Sequence, residues 1–216
     1  HLTHDDYSAA QITFTKAEQA MQGWETPQMR ARLESHRVHL WLDERNPDLV
    51  SAVKWAEEQQ AHIEPTKIDA ESALPRILRL ITVVRVLLAQ ARSHPSDKDN
   101  YLSRALSILE LIHQAAEQDH RTGNLIEVFI LRALAYQEQS DIDQSVHAME
   151  KALGLAEPEG YVRIFIDEKK PMLQLLNELL KRKIAVEYSR KLLAAFDCCI
   201  KQEEIPIDIN RMTSPD

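Results

Sequence analysis

The chain has 216 residues, enough for one large domain or an elongated array, and 44% of them are hydrophobic, so it can bury a core. Only 4 are Gly, and Ala, Leu, Glu, Gln and Arg, all strong helix formers, dominate the rest. No Val/Ile/Thr alternation with hairpin turns is present, which points to an all-α fold. The net charge of −8 argues against a nucleic-acid-binding face, which needs a basic patch. The longest apolar run, near Leu80 to Ala89, is interrupted by Thr82 and Arg85, too soon to span a membrane. No signal peptide is evident. Cys198 and Cys199 are neighbours, where a disulfide is strained, so a reduced, cytoplasmic setting is expected.

Residues 4–22 read as an amphipathic helix with Ala10, Phe14 and Ala17 on one face and Met21 following. Gly23 ends it as a cap. Ala10 and Phe14 fit the A-x3-F spacing of the second helix of a tetratricopeptide repeat, where the small residue admits the partner helix and the aromatic fills the space above it. A helix over 25–44 follows, with Met29, Leu33 and Leu40 inward, although His36 and Arg37 stand where the repeat wants apolar or small residues. Asn46-Pro47-Asp48 is a turn. A short helix over 48–60 then buries Ala52, Trp55 and Ala56, and 62–72 is a loop around Pro65.

Leu74 to Arg92 is the most apolar helix. Leu80, Val83, Val84 and Leu87 take the W-x2-L-G-x2-Y positions of the repeat. His94-Pro95-Ser96-Asp97 ends it, with Ser96 or Asp97 as the next N-cap. Leu102 to Gln118 is its partner, with Ala105 and Leu109 at the A-x3-F spacing; longer helices or a longer loop must absorb the extra length of this repeat. The best repeat spans about 125–158. Phe129, Arg132, Ala133 and Tyr136 fit its first helix, Ser145 and Met149 its second, and Pro158 its close. Tyr161 to Ile166 is short and apolar, and Asp167 to Pro171 breaks it. Helices over 172–181 and 185–200 then form a cap, or a joint to a following domain.

Arg121-Thr122-Gly123-Asn124-Leu125-Ile126-Glu127, then Ala152-Leu153 and Leu155 to Glu168, then Pro171-Met172 with Leu175-Leu176, resemble the MalT-like regulators, the large ATP-binding regulators of the LuxR family. Upstream of Arg121 the resemblance is one of helix pattern. It implies a right-handed tetratricopeptide-like superhelix of about ten antiparallel helices with a helical C-terminal cap. Residues 1–201 would form that domain, with the cap over 159–201, and 202–216 a polar linker toward a C-terminal helix-turn-helix domain outside this chain. His1 inside a helix pattern and the polar tail suit a fragment of a longer regulator. The phosphate-binding G-x-x-x-x-G-K-[ST] loop is not in the sequence, so ATP binding does not carry over. Lys169 stands where the family often has Gly.

The implied role is sensing. A small-molecule effector bound in the superhelix would favour an active, self-associating, DNA-binding state, with DNA held only by the C-terminal domain. The alternative is a scaffold whose groove holds a protein or peptide. The repeat register makes Glu127, Ile130, Leu134, Gln137 and Glu138 groove-facing, and Arg85 is the equivalent of Leu134 one repeat earlier. An Arg in an apolar helix is either a ligand contact or half of a structural ion pair. Tyr161, Arg163, Phe165, Asp167 and Glu168 form the structural or coupling motif. Tyr161 and Phe165 would pack on the preceding hairpin and Arg163 would pair with an acid. No nucleophile accompanies the acids, so no enzymatic activity and no cofactor are expected. His36 and His39 are one turn apart without a third ligand, so no metal is expected. Trp24, Trp41 and Trp55 read as core or groove wall.

Overall fold

The computed structural model describes the backbone over 4–43, 47–61 and 73–203, and side chains over 12–43, 47–59 and 74–197. The described residues form ten α-helices, and the chain is an all-α superhelix. They are α1 (His4–Met21), α2 (Pro27–Trp41), α3 (Leu49–Ala61), α4 (Ala73–Ser93), α5 (Lys98–Gln118), α6 (Thr122–Glu138), α7 (Ile142–Glu159), α8 (Arg163–Ile166), α9 (Lys169–Lys181) and α10 (Val186–Glu203). A 3₁₀ turn, Pro95–Asp97, joins α4 to α5. Ala10, the 62–72 loop with Pro65, Cys198, Cys199, Ile200 and the tail after Glu203 lie outside the described residues or side chains.

Packing follows a repeating rule. α2 packs on α4, α4 on α6 and α6 on α9, making one row of helices. α3, α5, α7 and α10 each pair with the member of that row before or after them in sequence. α8 is inserted between the third and fourth hairpins and touches α9 and α10. One continuous core runs from Val38 to Phe196.

α4 is the spine of this core. Residues 80–88 are buried without a break, so the helix is covered on all sides. α5 buries a single stripe, Leu102, Ala105, Leu109, Ile112 and Ala116, at steps of three and four. The extra length of this repeat lies in the helices, each of 21 residues. α5 begins earlier than its apolar stripe indicates. Asp97 occupies its N-cap without a side-chain capping bond, and Ser96 bonds the Asp97 carboxylate instead.

Ala133 of α6 is fully buried where α7 packs on it. Ser145, in the small-residue position of α7, donates its hydroxyl to the Ala133 carbonyl at 2.7 Å. α7 continues through Pro158 to Glu159, because a proline in the last turn sacrifices a single amide donor. The helix stops at Gly160, whose φ is +70. His120, Ser140 and Lys183 adopt the same left-handed backbone after α5, α6 and α9. In each case the next amide reaches back five residues: Arg121 to Ala116, Asp141 to Tyr136, Tyr161 to Ala156 and Ile184 to Leu179. This is the Schellman closure.

α2 departs from the sequence expectation. Ala31 and Val38 are its buried residues; Leu33 and Leu40 are half-buried and Met29 is 43% exposed. The predicted face is two residues off, about 200° around the helix. Polar pairs occupy the α2–α4 seam, with Arg79 bonded to Glu34 at 2.9 Å and Thr82 to Ser35 at 3.0 Å. Trp24 is 84% exposed and is neither core nor groove wall, whereas Trp41 and Trp55 pack against the core. α3 buries Ala52 and Ala56 with Trp55 beside them, as its spacing predicts.

Candidate functional site

A cleft of about 690 Å³ opens between α2, α4 and the α8–α9 turn. Two of its walls are helical stripes. α4 supplies Arg85, Leu88, Ala89 and Arg92, at steps of three and four. α2 supplies His36 and His39, and its C-cap Leu42 continues the row at the same spacing. The third wall is the turn itself, from Ile166 to Lys169, with Arg163 of α8 and Pro171 of α9.

The turn takes its shape from Lys169, whose φ of +56 lies in the left-handed region. Glycine adopts that conformation without steric cost and lysine does not. Lys169 is anchored by its ammonium, which bonds the carboxylate of Asp43 beyond the end of α2; that side chain is 10% exposed. Pro171 sits in the first turn of α9, where its missing amide has no helical partner to lose. It therefore starts α9 rather than standing before it.

Beside this anchor, Arg85 donates from Nε at 2.9 Å and Nη2 at 2.8 Å to Glu168 Oε1, and from Nη2 at 3.1 Å to Glu127 Oε1. Arg85 is 9% exposed. Burial by itself lowers the pKa of its guanidinium, and the Glu168 and Glu127 carboxylates more than reverse this, so it stays charged. Three helices are thereby tied together: α4, α6 and, through the turn, α9. Arg92 pairs with Glu138 at 2.7 Å, and Arg163 with Asp167 at 2.8 Å. The His39 imidazole is pushed down to about 3, first by burial and then by Arg85, His36 and Lys169, and is neutral near pH 7.

Of the groove positions read from sequence, Arg85 alone lines the cleft. Glu127 holds it from α6, and Glu138 holds Arg92. Gln137 donates to Gln174 of α9 at 3.2 Å. Ile130 and Leu134 belong to the buried core, so this part of α6 is not an open groove. The motif after α7 divides in two. Arg163, Asp167 and Glu168 line the cleft; Phe165 is fully buried, with its ring edge-on to Tyr188 at 6.3 Å. The Tyr188 hydroxyl donates to the Tyr161 carbonyl, and burial, with Glu157 nearby, raises the Tyr188 pKa. The Tyr161 ring lies over Gly123, where a Cβ would come within 3.4 Å of its hydroxyl.

Sequence reasoning missed Arg92, Lys169 and the two histidines as neighbours of Arg85. The signal for Arg92 was present, since it shares the Arg85 stripe of α4. Nothing local places α2 and the α8–α9 turn opposite that stripe. Among the described residues no three His, Cys, Asp or Glu side chains come together as metal ligands, and no helix is long and apolar enough to cross a membrane.

No curated protein and no solved structure matches the chain. The family described as the MalT-like TPR region matches residues 1–182, well beyond the 121–176 stretch that carries the resemblance most specifically. That span takes in every helix from α1 to α9, and the chain belongs to the family of MalT-like TPR regions.

Proposed function

We propose that this chain is the sensing segment of a larger transcriptional regulator, and that the cleft beneath the α8–α9 turn takes a small-molecule effector. The cleft is the observation that carries the reading. Its volume of about 690 Å³ falls within the range of small-molecule sites, and its walls come from helices separated by more than 120 residues of sequence. An effector in contact with the turn stabilises whichever arrangement of turn and α2 it fits better, which is all that a ligand needs to shift a conformational equilibrium. Stacked helices respond to such shifts by changing curvature. With a net charge of −8, DNA contact falls to another part of the regulator. Phe165, buried against Tyr188, fixes α8 at the start of the turn, and Arg163, Asp167 and Glu168 would couple the turn to an effector in the cleft.

A thermal-shift screen of cytosolic metabolites against the 216-residue chain tests this. A compound at about 100 times its Kd adds about 2.7 kcal/mol of stability. The same compound is expected to lose its effect on Ala89→Trp, which fills the cleft from α4. If no metabolite acts while a peptide or a partner domain does, the segment is an interaction scaffold and the sensing role is wrong.

A further inference from the structure

Four cationic side chains face the cleft: Arg85, Arg92, Arg163 and Lys169. Of the carboxylates paired with them, only Asp167 and Glu168 share its lining. Glu127, Glu138 and Asp43 hold Arg85, Arg92 and Lys169 from outside it. Among the lining side chains the cations therefore outnumber the carboxylates four to two, and carboxylates behind the wall balance their charge.

These cations are not equally committed. Arg85 is buried and engaged by two carboxylates. Arg163 is 81% exposed, Lys169 47% and Arg92 39%. Exposed ion pairs contribute little, so an incoming anion can take Arg163 from Asp167 and Arg92 from Glu138 at small cost. Burial is the main cause that keeps His39 unprotonated, and Arg85, His36 and Lys169 add to it. Leu88, Ala89 and Ile166 add an apolar floor for the body of a ligand.

We propose that the cleft selects an anionic metabolite, bearing a phosphate or several carboxylates, whose charge is held by Arg163, Arg92 and Lys169. This rests on the sensing role above and assigns it a ligand class. The charge-assisted bonds that Arg donates to such groups are the stronger kind, and the planar guanidinium matches both phosphate and carboxylate.

Isothermal titration calorimetry of the 216-residue chain, at fixed ionic strength, uses pyrophosphate, citrate and uncharged glycerol as probes. Pyrophosphate or citrate is expected to bind saturably with Kd about 1 mM or tighter, and glycerol not at all. Binding by one anion alone assigns phosphate or carboxylate. Arg163→Gln and Arg92→Gln are each expected to weaken it about tenfold or more, and neither exposed residue is needed for folding. Absence of saturable binding by both anions, or binding that survives both substitutions, overturns the anionic class. If a neutral metabolite then stabilises the chain and Ala89→Trp abolishes its effect, sensing stands without an anion. If no metabolite acts through the cleft, both ideas fall.

Discussion

Arg85→Leu separates a structural cation from a ligand contact. The substitution keeps an apolar stem in α4 and removes the charge paired with both Glu168 and Glu127, whose side chains are 11% and 19% exposed. Removing one partner of a buried ion pair costs about 3–5 kcal/mol, because the remaining charge stays desolvated. Glu127 has enough access to recover some hydration, which places the expected loss near the lower end, about 3 kcal/mol. In a chain of this size that lowers Tm by about 6–12 °C. Urea unfolding followed by far-ultraviolet circular dichroism gives the free energy directly. Adding Glu168→Leu to Arg85→Leu is expected to recover about half of the loss, since the more buried of the two stranded carboxylates is gone. A loss below about 1 kcal/mol for Arg85→Leu, with no recovery in the double variant, would refute the reasoning and show that water reaches Arg85 freely.

Four further outcomes are expected. Ala133→Leu overpacks the buried α6–α7 contact and costs about 1–3 kcal/mol by urea unfolding. His39 takes up its proton at about 3 in the folded chain, far below the ordinary value of 6.5, so as pH falls the unfolded chain binds that proton first and stability drops through this window. His39→Gln removes that loss, and between about pH 7 and pH 5 its Tm falls less than that of the parent, by an amount worth up to about 2 kcal/mol. Ser140→Gly relieves a left-handed residue at the α6–α7 turn and adds up to about 1 kcal/mol, read from the urea midpoint. Lys169→Gly and Lys169→Ala both lose the bond to Asp43, but Gly keeps the left-handed turn and is the more stable of the two by about 1 kcal/mol.

Much of the helical framework is legible from residue spacing. The nearly unbroken apolar run from Leu80 to Ala89 announces a helix with no exposed face, and Ala105 with Leu109 announces a single stripe. Ala133, at the small-residue position of the repeat, is fully buried against α7. α2 resists such a reading because its seam with α4 holds Glu34, Ser35, Arg79 and Thr82, so its apolar residues do not mark the buried side. Three of the four Schellman turns use His120, Ser140 and Lys183, so the glycine signal for a helix end is missing. The site was half visible. Arg85 stands out as a charge in an apolar helix, and Asp167 and Glu168 as an acidic break. That Arg85 and Glu168 are partners is a contact across 83 residues, which no local pattern encodes.

A linear array of repeats behaves almost one-dimensionally, since each unit leans on its neighbours and can melt from an end without disturbing the middle. The α8–α9 turn removes that freedom here. Its bonds to Arg85 and Asp43 join positions 83 and 126 residues apart. Closing loops of that length costs little more entropy than closing short ones. α9 therefore cannot swing away from α6 without also releasing α2 and α4. A pull or twist applied beyond α9 reaches α2 through the Lys169–Asp43 bond, bypassing the intervening hairpins.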